Sequence, residues 1–207
     1  MSQLIEKTDQ LDLFVADIID IAPKSDLHSM EYPIFAISSK PDTDVFRYEN
    51  AAGNWLEIIP SVNGRATIHD KDLLLYCFGQ IAEALNRGKS VTRRLKITAY
   101  DYLVSTNRNT DGRSYAAITD TLARLRGTTF KSNIGNTENK KGEVFGLIDS
   151  GTTVTDKNGR LDYIEVVLSE HLFASITNHR ILTYNRDYFK LRSPYDRRMY
   201  ELCRKHC

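Results

Sequence analysis

The sequence is poor in the features that mark secreted and membrane proteins. Cysteine occurs only three times among 207 residues, an odd number that favours a reducing compartment over a framework of disulfides. No apolar run approaches the roughly 20 residues that a membrane-spanning helix needs. The first ten residues, MSQLIEKTDQ, lack the basic and then apolar order of a signal peptide. We therefore expect a cytoplasmic protein with no membrane partner.

The sequence also lacks a complete catalytic or metal-binding motif. Gly88-Lys89-Ser90 matches the end of a phosphate loop, yet Glu83 stands where the first glycine of that loop belongs. The tail 203–207 offers two cysteines and a histidine, but no second ligand pair has the matching spacing. The five histidines are isolated along the chain, and no serine lies in a nucleophile elbow. The sequence predicts a protein that is not an enzyme and that uses no cofactor or metal.

What the sequence does contain is a strong separation of charge, although its net charge is only +1. Residues 1–72 carry 13 acidic against 6 basic residues, whereas residues 87–131 carry 10 basic against 3 acidic residues. Residues 180–207 are basic as well, with 8 basic against 3 acidic residues. Basic blocks suit a polyanionic partner, and the alternative is an ordinary solvated surface.

The central basic block contains a helix-turn-helix pattern. Thr98 predicts the start of a helix that ends near Thr106, and the polar residues 107–112 predict the turn after it. Ser114 can cap the second helix, and Gly127 suits the residue that closes it. The two faces of this helix differ in composition. The inward face is apolar, with Ile118, Leu122 and Leu125, and the outward face carries Arg113, Ala116, Asp120, Ala123 and Arg124.

The elements around this pattern predict an α+β fold that contains a winged helix. Asp70 caps an amphipathic helix over 71–87, and a strand at 93–99 leads into the helix-turn-helix. Strands are predicted at 128–134, 143–155 and 160–169; a basic tip at Lys140 and Lys141 joins the first two, and a compact turn at 156–159 joins the last two. The two strands joined by the basic tip form the predicted wing. The order helix, strand, two helices, strand and wing is typical of a winged helix.

Three domain segments follow from this pattern. Residues 1–30 form a loosely tethered arm, residues 31–180 form the winged-helix domain with an additional small N-terminal antiparallel sheet, and residues 181–207 form a connecting helix. That helix begins at Ser193-Pro194. Its apolar stripe, Tyr195, Met199 and Leu202, is expected to pack against the N-terminal winged helix or a second chain, and in a longer protein the helix is expected to continue into a second winged helix.

Seven stretches resemble, in order and spacing, the plasmid replication initiator protein A family. They are DKDLLLY (70–76), EALNRG (83–88), AYDYL (99–103), GRSYAAITDTLARLRGTTF (112–130), FGLID (145–149), ILTYNRDYFKL (181–191) and RRMYELCRKH (197–206). The resemblance covers about residues 30–207. It implies a non-enzymatic, iteron-type initiator that binds repeated origin sites, helps to open the origin, and recruits the host replication initiator and helicase. In the wider group a second winged helix follows the tyrosine-rich helix, whereas this chain ends at Cys207.

Two functional hypotheses follow. In the first, the protein binds double-stranded origin DNA through one set of residues on and around the second helix, whose members are Arg108, Arg113, Ser114, Ala116, Ala117, Asp120, Arg124, Arg126, Lys131, Lys140 and Lys141. In the second, it is a dimerisation or protein-interaction module, and the sheet around Trp55 or the strand 163–168 pairs across a two-fold axis. A homodimer is expected in either case.

Overall fold

The computed structural model describes residues 13–18, 21–38, 40–134 and 142–207. No helix within these ranges is long and apolar enough to cross a membrane. In chain order the elements are β1 (Leu13–Val15), β2 (Lys24–Asp26), α1 (Leu27–Glu31), β3 (Phe46–Glu49), β4 (Trp55–Ile59), α2 (Lys71–Asn86), β5 (Arg94–Thr98), α3 (Ala99–Ser105), α4 (Gly112–Gly127), β6 (Thr129–Ser132), β7 (Glu143–Gly146), β8 (Ile148–Thr155), β9 (Leu161–Leu168), α5 (Glu170–Thr177), β10 (Ile181–Thr183), a 3-10 helix (Arg186–Lys190) and α6 (Pro194–His206).

Helix α2 forms the centre of the fold, as its apolar pattern predicts. Leu73, Leu75 and Ile81 are fully buried, and apolar surface covers the helix on more than one side. Gly88 ends it with a φ of +69°. The N–H groups of Gly88 and Lys89 donate to carbonyls of the last turn, both at 2.9 Å, which is the pattern of a Schellman motif. The predicted helix of residues 71–87 is therefore confirmed to within one residue at its C-terminal end.

The first sheet has the strand order β1-β5-β9-β8. Strands β5, β9 and β8 are antiparallel neighbours, and β1 joins the free edge of β5 in parallel. Ile97, Ile164 and Val166 line its buried face. Residues 1–30 were expected to form a loosely tethered arm. The described part of this segment is instead paired with the rest of the fold, since β1 belongs to this sheet and β2 pairs with β10. The sequence could not show this, because both partner strands lie far along the chain.

The second sheet is antiparallel, with the order β3-β4-β6-β7. Gly53, with a φ of +77°, lies in the turn between β3 and β4. Residues 32–38 have the composition of a strand but do not form one, because within that stretch only Ala36 makes a bridge, to Thr67. The predicted strand of residues 143–155 divides at the buried Leu147, since β7 pairs with β6 and β8 pairs with β9.

This division changes which hairpin accompanies α4. The prediction joined the first two strands after α4 through the basic tip and treated them as the wing. In the structure β6 and β7 belong to the second sheet, and the hairpin that packs beside α4 is β8–β9, with its turn at 156–159. Lys140 and Lys141 lie outside the described residues.

The C-terminal helix α6 docks onto the domain, but not with the face that the sequence predicts. Ser193 caps it by accepting the N–H of Asp196 at 3.4 Å, and Pro194 is at its first position. Tyr195 and Met199 are 66% and 59% exposed, so two of the three residues of the apolar stripe point outward, and Leu202 is half-buried. The buried face instead carries charged residues, Arg197 and Glu201, whose partners lie at the start of α2.

Candidate nucleic-acid interface

Helices α3 and α4 are joined by a short turn whose chemistry fixes where α4 begins. The Asp111 carboxylate accepts the backbone N–H of Ser114 at 2.8 Å, and this hydrogen bond holds the pKa of Asp111 below its ordinary value. The predicted N-cap, Ser114, is wrong: the N-cap is Asp111, and α4 starts three residues earlier than expected. In the turn, Asn107 has a φ of +54°, a conformation that asparagine tolerates.

The apolar face of α4 packs inward as predicted. Ile118, Leu122 and Leu125 are 2%, 5% and 0% exposed. The helix rests on β8, where Gly151 provides a close approach: a Cβ placed there would lie 2.8 Å from a methyl group of Leu122. The close packing of α4 on the sheet therefore requires glycine at position 151.

The opposite face of α4 is open over its first two and a half turns. Arg113, Ala116 and Asp120 are exposed, and Ser114 and Ala117 are half-buried. Arg126, in the last turn, is exposed as well. Arg113, Ser114, Ala116, Ala117 and Asp120 thus share one accessible surface, whereas Arg126, 13 residues after Arg113, lies on another side of the helix.

A groove of about 790 Å³ runs between the start of α4 and the β8–β9 hairpin. Apart from Ala116, its lining side chains are mostly hydroxylic or charged: Tyr100, Thr110, Tyr115, Thr119, Thr153, Thr155, Asp156, Arg160 and Asp162. Asp156 is engaged in the hairpin turn, where its carboxylate accepts the N–H groups of Asn158 at 2.8 Å and Arg160 at 2.9 Å. The groove offers hydroxyl donors and one arginine next to the open face of α4.

Two predicted DNA-contacting arginines are held by buried carboxylates. The Arg124 guanidinium donates two hydrogen bonds to Asp70, at 2.8 and 2.7 Å, and Arg108 donates to Asp72 at 2.9 Å. Burial raises the pKa of Asp70, and hydrogen bonds from Arg124, Thr67 and Thr121 outweigh burial and lower it overall. The side chain of each arginine is 24% exposed.

Lys131 is separated from this surface by sheet membership. It lies on β6 in the second sheet, where its Nζ is 3.1 Å from a carboxylate oxygen of Glu57. Within the described ranges, no group of three or more histidine, cysteine and acidic side chains could hold a metal ion. The structure therefore brings Arg113, Ser114, Ala116, Ala117 and Asp120 together and leaves Lys131 apart.

The side chains that the β8–β9 hairpin contributes to this surface were not predicted from the sequence. Thr153, Thr155 and Arg160 border the groove, but sequence alone did not show which hairpin accompanies α4. A usable signal was present, since three of the five residues 151–155 are threonines and the segment lacks the apolar alternation of a buried strand. Tyr100, at the start of α3 and 55% exposed, was similarly visible as an unpaired aromatic residue.

Comparison with known structures shows which fold the chain shares. Chains described as domains 2 and 3 of RctB superpose with TM-scores of 0.65 and 0.51, at 13% and 16% sequence identity. The first match covers 87% of this chain and 71% of that one, and the second covers 80% and 62%. At this identity the likeness concerns the fold alone.

Comparison of sequences identifies the family. A protein of Wigglesworthia glossinidia brevipalpis that carries the provisional name of replication protein is 40% identical over 202 residues, which are 95% of this chain and 72% of that protein. The profile of the family described as Replication initiator protein A matches residues 24–207. The chain belongs to the replication initiator protein A family.

Proposed function

We propose that the chain binds double-stranded origin DNA, with the open face of α4 in the major groove and the β8–β9 hairpin against the adjacent backbone. The sequential arrangement of α2, β5, α3, α4, β8 and β9 supports a winged helix whose wing is this hairpin. The observation that carries the proposal is the groove, because it places the exposed start of α4 and the hairpin around one open volume.

The side chains at the start of α4 suit this role. Arg113 is exposed at the first turn, and an arginine there can donate two hydrogen bonds to a guanine edge. Ala116 and Ala117 are small and allow the helix to approach the bases closely. Asp120 can accept a hydrogen bond from a cytosine amine. Thr153, Thr155 and Tyr100 provide hydroxyl groups for the phosphate backbone.

Membership of the family supports a role for this binding in starting replication. We propose that the recognised sites are the iteron repeats of a plasmid origin, and that binding helps to open the origin and recruits the host replication initiator and helicase. The chain does this in the cytoplasm as a binding protein and not as an enzyme, without a cofactor.

A base contact and a phosphate contact should respond differently to single substitutions. Arg113→Ala should weaken binding to specific origin DNA by about 1–3 kcal/mol, because a base contact is lost. Lys157→Ala, at the hairpin tip, should weaken binding to all sequences alike. It should also reduce the slope of log affinity against log salt by about 0.9, the value for one phosphate contact. Fluorescence anisotropy with origin and scrambled duplexes over a salt series measures both quantities.

A matched control comes from the second sheet. Arg47 is exposed on the edge strand β3, so Arg47→Ala should change neither affinity nor salt slope. Unchanged specific binding in Arg113→Ala, with the wild-type chain binding its origin, would remove α4 from the interface.

A second candidate function is dimerisation, which one feature of the second sheet favours. The strand 163–168, one of the two elements suggested for pairing, lies in β9, which is internal in its sheet and cannot pair with another chain. The other, the sheet around Trp55, has β3 and β7 at its edges among the described strands. Strand β7 is an edge among the described strands, and Val144 on it is 68% exposed. We propose that a homodimer forms by pairing of the outer edge of β7 across a two-fold axis.

A further inference from the structure

Three consecutive charged residues at the start of α2 are buried. Asp70, Lys71 and Asp72 are 2%, 1% and 1% exposed. A buried charge without a partner is strongly unfavourable, so each of them needs a counter-charge from another part of the chain. Lys71 is paired with Glu201 of α6 at 2.6 Å, and the two carboxylates are paired with elements of the proposed DNA-binding unit.

Asp70 connects α2 to two successive turns of α4. Its Oδ1 accepts from Arg124 Nη2 at 2.7 Å and from Thr121 Oγ1 at 2.8 Å, and its Oδ2 accepts from Arg124 Nε at 2.8 Å. Oδ2 also accepts the backbone N–H and the hydroxyl of Thr67, both at 2.8 Å. Both oxygens of this carboxylate are therefore fully used, and the tilt of α4 on α2 is set by a two-point contact.

Asp72 connects α2 to the turn between α3 and α4. Arg108 donates to its Oδ2 at 2.9 Å and to the carbonyl of His69 at 2.6 Å. Arg197 of α6 donates to the other oxygen at 2.5 Å. The arginine in the turn is thus tied to the same helix start as Arg124.

The geometry makes direct DNA contact by these arginines unfavourable. For Nε and Nη2 of Arg124 to reach a phosphate they would have to leave Asp70, and a carboxylate with 2% side-chain exposure would lose its counter-charge. An arginine used for phosphate contact normally lies on the surface, where its own release costs little. Arg113 meets that condition, since it is exposed and lies about three turns away on the same helix.

We propose that Arg124 and Arg108 are positioning residues, which hold α4 and its preceding turn on α2 through Asp70 and Asp72 and do not contact DNA. This inference rests on the proposed DNA binding by α4. It assigns to Asp70 and Thr121, which cannot reach DNA from the interior, an effect on DNA specificity.

The decisive variants are Thr121→Val, Asp70→Asn and Arg124→Ala in the full chain, with Arg113→Ala and Lys157→Ala as contact controls. Thr121→Val removes one hydrogen bond to Asp70 and keeps the shape of a buried side chain. Thermal melting first identifies the temperature at which each variant is folded. Anisotropy with origin and scrambled duplexes then gives the specificity ratio and the salt slope of each one.

We expect all three variants to lower the ratio of specific to non-specific affinity, with a loss of about tenfold for Arg124→Ala, while the salt slope stays at the wild-type value. A drop in slope of about 0.9 in Arg124→Ala, together with unchanged or tighter binding in Asp70→Asn, would show that Arg124 contacts a phosphate and would overturn the inference. An unaltered ratio in folded Thr121→Val and Asp70→Asn would overturn it as well. If the wild-type chain shows no preference for origin DNA, the proposed function itself fails, and the inference fails with it.

Discussion

Lys71 and Glu201 form a fully buried ion pair between α2 and α6. Each side chain is 1% exposed, and Nζ lies 2.6 Å from Oε1. The pair is well supplied with further contacts: the Tyr188 hydroxyl donates to the same carboxylate oxygen at 3.1 Å, and Arg198 donates to the other oxygen at 3.3 Å. The net contribution of such a pair to the free energy of unfolding is small, because the loss of hydration of both ions offsets their attraction. Its effect is greatest when one partner is removed.

We therefore predict unequal effects of single and double substitution. Glu201→Gln should destabilise the fold by about 3–5 kcal/mol, since it leaves Lys71 charged and buried without its counter-charge. The double variant Lys71→Met with Glu201→Gln should recover most of that loss, because the buried positive charge is gone. Urea denaturation followed by circular dichroism measures the free energy of unfolding of the wild type, of Lys71→Met, of Glu201→Gln and of the double variant. Strictly additive losses would show that the two residues are not coupled.

At the scale of single elements, the position of α4 depends on the smallest residue of the strand beneath it. Gly151 lies on β8, and its backbone faces Leu122 of α4 so closely that a Cβ would lie 2.8 Å from Cδ2 and 3.2 Å from Cβ of the leucine. The leucine is 5% exposed and has little room to move. An added methyl group must shift the helix away from the sheet or force the leucine out of its rotamer.

Gly151→Ala should consequently destabilise the protein by about 1–3 kcal/mol, the usual cost of overpacking a core contact. The pair Gly151→Ala with Leu122→Ala should be less unstable than the sum of its two single variants, because the smaller side chain relieves the clash. Gly159→Ala is a poor control, as Gly159 has a φ of +74°. Thr152→Ala, on an exposed position of the same strand, provides the comparison. A Gly151→Ala variant as stable as Thr152→Ala would contradict the close packing of α4 on β8.

At the scale of the whole molecule, the sequence predicts what is local and fails where partners are distant. Helices α2, α3 and α4 were predictable because the apolar residues of each recur at helical spacing within one segment. Their caps were less predictable, since neither Asp70 nor Thr98 makes a side-chain capping hydrogen bond. The buried face of α6 was not, because Arg197 and Glu201 are paired with residues 125 and 130 positions earlier in the chain. Periodicity alone placed Tyr195 and Met199 inward, whereas ion pairing determined the orientation of the helix.

In the candidate interface, too, the local features were predictable from the sequence and the long-range pairings were not. The open face of α4 followed from helical periodicity, and Arg113 and Asp120 are exposed as expected. The roles of Arg108 and Arg124 depend on Asp72 and Asp70, 36 and 54 residues away, and the hairpin beside α4 depends on the switch of sheet at Leu147. None of these long-range pairings leaves a local pattern in the sequence.

The last prediction concerns assembly of the whole chain. Strand β7 pairs with β6 on one side, and the other edge of β7 is unpaired among the described strands. An open edge with an exposed valine is suited to pairing with a second copy, and a charge on such an edge opposes pairing. Val144→Lys should therefore shift a dimer to a monomer in light scattering over a concentration series. Because β7 lies in the second sheet and α4 packs on the first, the monomeric variant should keep the salt slope of the wild-type chain on short duplexes carrying one site.

The matched control for this variant is Val45→Lys. Val45 is 59% exposed and immediately precedes β3, the opposite edge strand of the same sheet, so it introduces the same charge without touching β7. A dimer that persists in Val144→Lys and dissociates in Val45→Lys would move the interface to β3. A wild-type chain that remains monomeric at high micromolar concentration would remove the two-fold pairing altogether. The single-site DNA measurements would be unaffected by that result, since they depend on α4 and the β8–β9 hairpin of one chain.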